Sequence, residues 1–365
     1  MQISEVIEFL ETIAPASLQQ SYDNAGLIVG NKNETLSGIL ICLDSTEQII
    51  EEAIQNNCNL IIAHHPIIFS GLKKITGANY IERTIISAIK NNIAIYAIHT
   101  NLDNVYEGVN KMIADKLELR NCKILQPGKG HLKKLVTFAP HANAAQIREV
   151  LFNAGGGHIG NYDHCSFNLE GAGTFRGDET TNPHVGEKNK EHHEPETRIE
   201  MIFPAWLEKQ LLNTLIKNHP YEEVAYDIYP LDNVHQNIGA GIIGNTAGPI
   251  EEKEFLQFLK LRMQVEVVRF TTLLNKPIEK VAVCGGSGSF LLKDAIAAGA
   301  DIFITADFKY HQFFDADGKI IIADIGHYES EQFTVDLITW WLREKFPNFA
   351  AHIKMGQNTN PVKYL

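Results

Sequence analysis

The first third of the chain alternates between short apolar runs and stretches with the periodicity of an amphipathic helix. The apolar runs predict three buried strands, at residues 38–43, 59–63 and 93–97. The patterns between them predict two helices, one that begins near Ser45 or Thr46 and one over residues 81–90. Strands that are apolar along their whole length and separated by helices are typical of a parallel sheet covered on both faces.

The same rhythm returns in the last quarter of the chain. Apolar runs at residues 281–284, 301–304 and 319–323 predict three further strands, with helices between them. Both ends of the chain therefore predict one α/β layer system with a mostly parallel sheet.

The middle of the chain has a different pattern, which begins at the breaker cluster of residues 127–130. The predicted order is strand (135–139), helix (142–153), strand (166–175), strand (198–203), helix (206–217) and strand (223–229). This βαβ-βαβ order is that of a ferredoxin-like α+β unit. Residues 182–196, between its halves, are charged and nearly devoid of large apolar side chains, so we expect an exposed loop there.

A glycine-rich run at residues 239–244 leads back into the pattern of the larger domain. We therefore expect an α/β host domain, formed by residues 1–127 and 237–365, that is interrupted by a ferredoxin-like insert at residues 128–236. The length of 365 residues suits two or three domains of ordinary size.

Composition narrows the class of protein. Lys and Arg number 32 against 44 Asp and Glu, and the net charge of −12 disfavours a general nucleic-acid coat. The five cysteines are far apart and never form C-x-x-C, which argues against a disulfide framework and a cysteine zinc site. The start of the chain lacks a signal-peptide pattern, and no apolar stretch approaches the roughly 18–20 residues of a membrane span. We expect a soluble, cytoplasmic protein.

Side chains that can bind metals follow three of the predicted strands. His64 and His65 follow the second strand, Asp103 follows the third, and His327 and Glu331 follow the last. In a helix that begins just after His327, that residue and Glu331 lie one turn apart on the same face. Ligands of open α/β sheets gather outside the carboxyl ends of the strands, so we expect these five side chains to converge.

Three imidazoles and two carboxylates predict a metal centre. Imidazole with carboxylate suits zinc, manganese, iron or nickel, and the lack of cysteine ligands argues against a purely structural site. Five groups exceed what one open catalytic ion needs, and they match a pair of ions about 3.5–4 Å apart with one carboxylate bridging. The alternative is that the His-His-Pro and His-x-x-x-Glu motifs are separate core or capping features.

Most of the fifteen histidines have simpler interpretations. Three of them lie in the charged loop and are interpreted as solvated, although together they could hold a stray metal: His184, His192 and His193. Seven others have no second potential metal ligand at ligand spacing in the sequence, and they are interpreted as surface or capping residues: His131, His141, His158, His164, His219, His235 and His352.

Five ordered motifs make the chain resemble a known family. They are HHP at 64–66, HTNLD at 99–103, CGGSG at 284–288, TAD at 305–307 with Tyr310 and His311 after it, and GHYESE at 326–331. The opening segment YDNAGLIVG at 22–30 fits as well. Together they resemble the GTP cyclohydrolase type 2 homolog family, also called the Nif-three-like proteins, across essentially the whole chain. One departure is Ala306, where the family usually has glycine.

The resemblance implies a Nif-three-like α/β host domain and an insert similar to the PII and CutA class of modules. It implies two divalent ions per chain, zinc, manganese or iron, on His64, His65, Asp103, His327 and Glu331. It also implies a toroidal homohexamer built as a trimer of dimers. In addition to Glu331, three residues are candidate catalytic groups, as proton carriers, because of their position in the sequence: His99, Asp307 and His311.

The glycine run at residues 285–288 has two interpretations. Backbone amides between a strand and a helix could cradle a phosphate group. The run lacks the lysine of a P-loop and the spacing of GxGxxG. The alternative is a glycine turn that lets the strand and the helix pack closely.

Two functions follow from these patterns. The first is a metal-dependent hydrolase, in which a metal acidifies water, acting on a nucleotide such as the GTP of the family name or on another phosphoester. The second is a non-enzymatic, metal-binding regulatory or sensor assembly, which a PII-like insert fits. A ring that encloses nucleic acid is disfavoured by the net charge of −12 and by the lack of an aromatic-basic stripe.

Overall fold

The structure is a computed structural model that describes residues 1–365. Two compact units are present: Met1–Pro127 with Asn237–Leu365, which we name the host unit, and Gly128–Gln236, which we name the insert unit. No helix combines the length and the apolar character needed to cross a membrane.

Strands and α-helices alternate through most of the chain. The strands are β1 (Gly26–Val29), β2 (Ile39–Cys42), β3 (Leu60–Ala63), β4 (Ala94–Ala97), β5 (Arg120–Gly128), β6 (Leu132–Pro140), β7 (Phe167–Phe175), β8 (His192–Pro204), β9 (Tyr226–Pro230), β10 (His235–Ile250), β11 (Arg269–Phe270), β12 (Ile278–Ser287), β13 (Ile302–Ala306), β14 (Ile321–Asp324) and β15 (Ile353–Met355). The helices are α1 (Ile3–Ile13), α2 (Glu47–Gln55), α3 (Tyr80–Lys90), α4 (Thr100–Asp103), α5 (Val109–Lys116), α6 (His141–Asn153), α7 (Glu208–Asn218), α8 (Glu252–Met263), α9 (Leu292–Ala297), α10 (His327–Glu331) and α11 (Thr334–Lys345). Short 3-10 helices lie at Ala16–Leu18, Ala205–Leu207, Ser289–Leu291, Tyr310–Ala316 and Pro347–His352.

The first sheet of the host unit has the strand order β1-β4-β3-β2-β15. The last four of these run parallel to one another, and β1 lies antiparallel to β4 at the edge. Every residue of β2, β3 and β4 is buried, as expected for strands covered on both faces. Helices α2 and α3 cover one face through Ile49, Ile50 and Ile85. Helix α2 begins after Thr46, whose hydroxyl accepts a hydrogen bond from the amide of Ile49.

The register of the first sheet aligns the ends of three strands. Cys42 pairs with Ala63, and Ala63 pairs with Ala97. Beyond them, the amide of His64 donates to the Cys42 carbonyl at 3.1 Å, and the amide of Ile98 donates to the Ala63 carbonyl at 2.9 Å. The residues that follow β2, β3 and β4 therefore enter one crevice.

The second sheet of the host unit has the strand order β11-β14-β13-β12-β10-β5. β12, β13 and β14 run parallel, whereas β10 lies antiparallel to β12 and β11 lies antiparallel to β14. Its core includes Leu291, Phe303 and Ile322. Because Thr305 pairs with Asp324, β13 and β14 also end side by side.

The host unit departs from the single layer system expected from the sequence, because it contains two sheets. Each sheet takes a strand from the opposite end of the chain: β5 joins the second sheet, and β15 joins the first. In β15 only Ile353 is buried, and in β5 only Ile124 and Leu125 are. Neither strand has the apolar run or the alternation that would predict it.

The insert unit contains a four-stranded antiparallel sheet in the order β7-β8-β6-β9. Helices α6 and α7 share its core through Ile147, Leu151 and Leu211. The expected loop at residues 182–196 is too long, because β8 begins at His192 and pairs with β7 from there. β7 is the strand expected at residues 166–175, and most of it is exposed. The start of β8 that pairs with it therefore needs few apolar residues, and its polar sequence does not predict a strand.

Replacing residues 128–236 by a short Gly/Ser linker should leave a host unit that folds, unfolds cooperatively and binds metal. β5 and β10 are neighbours in the second sheet, and the Gln126 carbonyl approaches Gly239 so closely that a Cβ there would clash with it. The two ends to be joined are therefore already close. Circular dichroism, a thermal melt and elemental analysis check the result. Loss of metal and of cooperative unfolding would show that the insert has other boundaries.

Candidate metal centre

The polar segments that follow the strands meet in a cavity of the host unit with a volume of about 1040 Å³. His65 follows β3, Asp103 ends α4, and His327 and Glu331 begin and end α10, and all four line the cavity. His64 has no exposed surface and lies beside His65, with the ring centroids 4.9 Å apart. The structure thus brings the five expected ligands together.

Glu331 lies at the middle of this group. Its Oε2 is 3.0 Å from Nε2 of His65 and 3.3 Å from Nε2 of His327, and its Oε1 is 3.8 Å from Nε2 of His64. The ligand atoms of His64, His65 and Glu331 all lie within 4.8 Å of one another. This spacing suits a group of side chains that share a metal ion.

Two buried atoms test whether these residues fit a cation. Nε2 of His64 and Oδ1 of Asp103 lie 3.6 Å apart, and neither has a hydrogen-bond partner. Leaving buried polar atoms unpaired is costly, and a cation that contacts both atoms removes that cost. Imidazole nitrogen and carboxylate oxygen are also ligands that zinc, manganese and iron accept. The residues therefore fit a divalent ion.

A hydrogen bond from the second ring nitrogen orients each of the three ligand histidines. Nδ1 of His64 donates to the Ile98 carbonyl at 2.8 Å, Nδ1 of His65 to Oδ1 of Asp44 at 2.8 Å, and Nδ1 of His327 to Oδ2 of Asp307 at 2.7 Å. Because carbonyl and carboxylate oxygens accept, the proton is assigned to Nδ1, and Nε2 is left for the centre. Metal-binding histidines in general are held in this way.

The charges of the centre compensate one another. Burial lowers the pKa of His65, but hydrogen bonds to Asp44 and Glu331 outweigh it and raise that pKa to about 10. Burial also lowers the pKa of His327, but hydrogen bonds to Asp307 and Glu331 outweigh it and raise that pKa to about 11. Protonated imidazoles thus supply positive charge in the metal-free protein, and a bound cation displaces their protons.

His64 and Asp103 form a second, less charged part of the centre. Burial lowers the pKa of His64, so its imidazole stays neutral. Burial and the nearby charge of Glu331 hold the pKa of Asp103 well above its usual range. Burial also raises the pKa of Glu331, but hydrogen bonds from His327 and His65 outweigh it and keep that pKa well below the usual range. Glu331 is therefore the ionised carboxylate of the two.

The glycine run at the end of β12 packs against α10. The Gly285 amide donates to Oδ1 of Asn110 at 2.9 Å, and the Gly286 amide donates to Oγ of Ser330 at 2.9 Å. Gly286 has a φ of +60°, and a Cβ there would clash with Oε1 of Glu331. These contacts support the interpretation as a turn for close packing, because both amides already have acceptors within the protein.

His99 lies beside the ligands, as its position in the sequence predicts. Its ring centroid is 5.4 Å from those of His64 and His65, and its Nδ1 donates to Oδ1 of Asp23 at 2.8 Å. Burial raises the pKa of Asp23, but hydrogen bonds from His99 and Thr100 hold it below its usual range. Asp23 is thus an ionised partner that orients the His99 ring.

Asp307 and His311 differ in their relation to the centre. Asp307 reaches it through its hydrogen bond with His327. The backbone turns at Asp307, where φ is +59°, and continues into the 3-10 helix Tyr310–Ala316. His311 is exposed on that helix, its ring contacts Tyr310 and Phe314, and it does not line the cavity. Contrary to expectation, the structure does not bring His311 to the site.

The sequence interpretation missed Asp44 and the aromatic lining of the cavity. Asp44 follows β2 closely, so the rule that selected His64 after β3 could have found it. The aromatic side chains come from separate segments of the chain, and no spacing in the sequence links them: Tyr22, Phe69, Phe290, Tyr328 and Tyr364.

Three histidines of the insert unit also differ from their sequence interpretation. His219 is buried, and its Nε2 donates to the Phe138 carbonyl at 2.9 Å while its Nδ1 accepts from the Tyr221 amide at 3.1 Å. His192 and His193 lie in β8 rather than in a loop, and Nε2 of His192 is 2.8 Å from Oε2 of Glu194. The satisfied ring nitrogens of His219 indicate a structural role.

Comparison with known proteins covers the whole chain. A family model described as Duf34/NIF3 (NGG1p interacting factor 3) matches residues 1–361. A protein of Halalkalibacterium halodurans named GTP cyclohydrolase 1 type 2 homolog is 42% identical over 325 residues, which are 88% of this chain and 87% of that protein. A Bacillus subtilis protein with the same name is 37% identical over 370 residues, 99% of this chain and 98% of that protein. The resemblance seen in the motifs is confirmed.

Solved structures share this architecture. The crystal structure of a Bacillus cereus protein related to NIF3 matches with a TM-score of 0.88 and 38% identity, covering 100% of this chain and 99% of that one. The structure of a Staphylococcus aureus protein matches with a TM-score of 0.76 and 28% identity, at the same coverage. The mixed α/β fold with several sheets is therefore common to these proteins.

Replacing His65, Asp103 or Glu331 by Ala should remove at least one metal ion per chain, because each change deletes a ligand of a shared centre. Elemental analysis of the purified, metal-loaded variants measures the loss. His311→Ala removes an exposed histidine outside the cavity and should keep its full metal content. Full metal content in all three ligand variants would contradict the site.

Asp307→Asn should weaken metal binding by about tenfold, the lower end of what outer-sphere changes cost. Asn tolerates the left-handed backbone that Asp307 adopts, but a neutral amide holds His327 less firmly than a carboxylate does. Isothermal titration with Zn²⁺ or Mn²⁺ measures the affinity. The control is Asp317→Asn, at an exposed residue that is also left-handed, with a φ of +48°. An unchanged affinity in Asp307→Asn would show that Asp307 does not orient His327.

Proposed function

The chain belongs to the Duf34/NIF3 family, and from this premise we propose that it is a metal-dependent hydrolase acting on a nucleotide or another phosphoester. The observation that carries the proposal is the buried cluster around Glu331, where Nε2 of His64 and Oδ1 of Asp103 have no hydrogen-bond partner. The relatives of Halalkalibacterium halodurans and Bacillus subtilis are named GTP cyclohydrolase 1 type 2 homolog, which supports a nucleotide as the substrate.

The distances around Glu331 would allow its carboxylate to serve two ions. Oε1 faces His64, which lies 3.6 Å from Asp103, and Oε2 faces His65 and His327, whose Nε2 atoms are 3.3 Å apart. His64 and Asp103 would thus hold one ion, and His65 and His327 the other. Two ions held by these five side chains would have room for substrate and water.

Divalent ions held here would polarise a substrate oxygen and acidify water. His99 is the residue of this chain that moves the proton. Its Nδ1 donates to ionised Asp23, so Nε2 is the nitrogen that accepts a proton from water or returns one to the leaving group. Asp23 stabilises the charged imidazole while it holds that proton.

The cavity favours a substrate with an aromatic base. Its volume of about 1040 Å³ is ample for a nucleotide. Tyr22 and Phe69 line it with 62% and 50% of their surface exposed, and the Phe69 ring lies 6.3 Å from that of His99. Exposed aromatic faces stack well on nucleobases, so we infer that a nucleotide is preferred to a small phosphoester.

A regulatory assembly is the second candidate function. The family description names a factor that interacts with another protein, which favours a binding role in at least some members. A metal centre of this kind would then stabilise the shape that a partner recognises, without turnover.

The insert unit and the exterior of the host unit suggest how such a protein is built. We infer that the insert is a ferredoxin-like module of the PII and CutA kind, since its strand order is β7-β8-β6-β9 and its two helices share one core. We also infer a toroidal homohexamer, built as a trimer of dimers, because the family resemblance implies it. The apolar side chains of Leu261, Phe314 and Trp340 are 76%, 67% and 59% exposed and suit surfaces that other copies cover.

The purified chain, loaded in turn with Zn²⁺, Mn²⁺ or Fe²⁺, should hydrolyse at least one compound among GTP, other nucleotides and simple phosphoesters. Chromatography of the products and a phosphate assay measure turnover, and chelation should abolish it. If every combination matches the chelated control, the hydrolase proposal fails and the regulatory assembly becomes the better account.

Glu331→Gln should lower the rate by at least about tenfold even where metal is retained, a loss already typical of changes beside a metal site. A neutral amide bridges two cations poorly and alters the charge that water experiences in the cavity. Steady-state kinetics and elemental analysis of the same sample separate the loss of rate from the loss of metal. Glu344→Gln, at an exposed residue of α11, should leave both unchanged.

A further inference from the structure

Residues 357–365 contain no helix or strand, yet part of this segment lines the cavity through Asn360, Pro361, Val362 and Tyr364. The segment leaves the first sheet at β15, where the Gly356 amide donates to the Ile41 carbonyl at 2.7 Å. The Gln357 amide then donates to Oε2 of Glu52 on α2 at 3.0 Å. The beginning of the segment is therefore fixed to the first sheet.

Thr359 connects the segment to a ligand histidine. Its hydroxyl donates to Oδ2 of Asp44 at 3.0 Å, while Oδ1 of Asp44 accepts the hydrogen bond from Nδ1 of His65 at 2.8 Å. The Asp44 side chain is 38% exposed, so burial alone does not hold it in this orientation. The Thr359 hydroxyl restrains the carboxylate that in turn restrains His65.

Asn360 connects the same segment to α10. Its Nδ2 donates to Oε1 of Glu329 at 2.8 Å. Glu329 is 7% exposed and lies on α10 between the ligands His327 and Glu331. The segment therefore contacts both Asp44, which orients His65, and the helix that carries the ligands His327 and Glu331.

We propose that residues 357–365 form a strap across the cavity that positions metal ligands from both sheets, with Thr359 and Asn360 as positioning residues. Asp44 follows β2 in the first sheet, and Glu329 follows β14 in the second, so adjacent residues of one segment hold the two sides together. The proposal rests on the metal site of the proposed function.

The strap has internal support that keeps the two contacts in place. Oδ1 of Asn358 accepts from the Asn360 amide at 2.7 Å, and Oδ1 of Asn360 accepts from the Val362 amide at 2.9 Å. These local hydrogen bonds fix the backbone around Asn360 in turns, so its amide group is already oriented when it meets Glu329.

Titration of the metal-free, full-length chain with Zn²⁺ alone and with Mn²⁺ alone tests the strap. Thr359→Val keeps the shape of the side chain but removes the hydroxyl, and the affinity should fall by about tenfold or more, as for other partners of ligating residues. Thr359→Ser keeps the hydroxyl and should restore the wild-type affinity. Thr12→Val removes a hydroxyl that donates to the Phe9 carbonyl in α1, outside the cavity, and should change nothing.

Wild-type affinity in Thr359→Val would overturn the strap and leave the metal site standing. No binding of either ion by the wild-type chain would instead overturn the proposed function, and the strap with it. Thermal melts of the metal-free variants detect a general loss of stability. If Thr359→Val melts early, Asn360→Ala decides: a tenfold weaker affinity at an unchanged melting temperature supports the strap, and an unchanged affinity overturns it.

Discussion

An ionised carboxylate inside a protein costs several kcal/mol unless its surroundings compensate it, and Glu331, 3% exposed, imposes that cost on the host unit. The imidazoles of His65 and His327 supply the compensation. The same constraint requires glycine at position 286, because any side chain there would occupy the space of the Glu331 carboxylate. The meeting of the two sheets at their strand ends is thus organised around one buried charge.

The hydrogen-bond acceptors of the histidine Nδ1 atoms divide the centre into two parts that differ in charge. His64 donates to a backbone carbonyl and is fully buried, so it stays neutral. His65 and His327 donate to carboxylates, which raise their pKa values and increase the electron density on Nε2. In the proposed two-ion centre, an ion held by His65 and His327 would therefore have the carboxylates of Asp44 and Asp307 behind its ligands, and an ion held by His64 would not.

The sequence could predict those features that depend on local pattern. Fully apolar runs located β2, β3 and β4, and the rule that ligands gather at strand ends selected the five residues now found together, His65 and Glu331 among them. It could not predict β15, whose three residues form a strand only because β2 offers a free edge. The hydrogen bond between Asp44 and Thr359 likewise became visible only in three dimensions, since it joins positions 315 residues apart. Long-range contacts of this kind leave no periodic signal in the sequence.

The separation of the ligands along the chain ties the centre to folding. His65 and Glu331 are 266 residues apart and follow strands of different sheets, so their contact joins the two sheets. Closing so long a loop costs only slightly more entropy than closing a shorter one, because the cost grows with the logarithm of length. A cation that binds the assembled ligands and not the unfolded chain adds its binding free energy to the stability of the fold. The side chains proposed for chemistry therefore also fasten one sheet to the other, and a change that loosens either sheet acts on the centre directly.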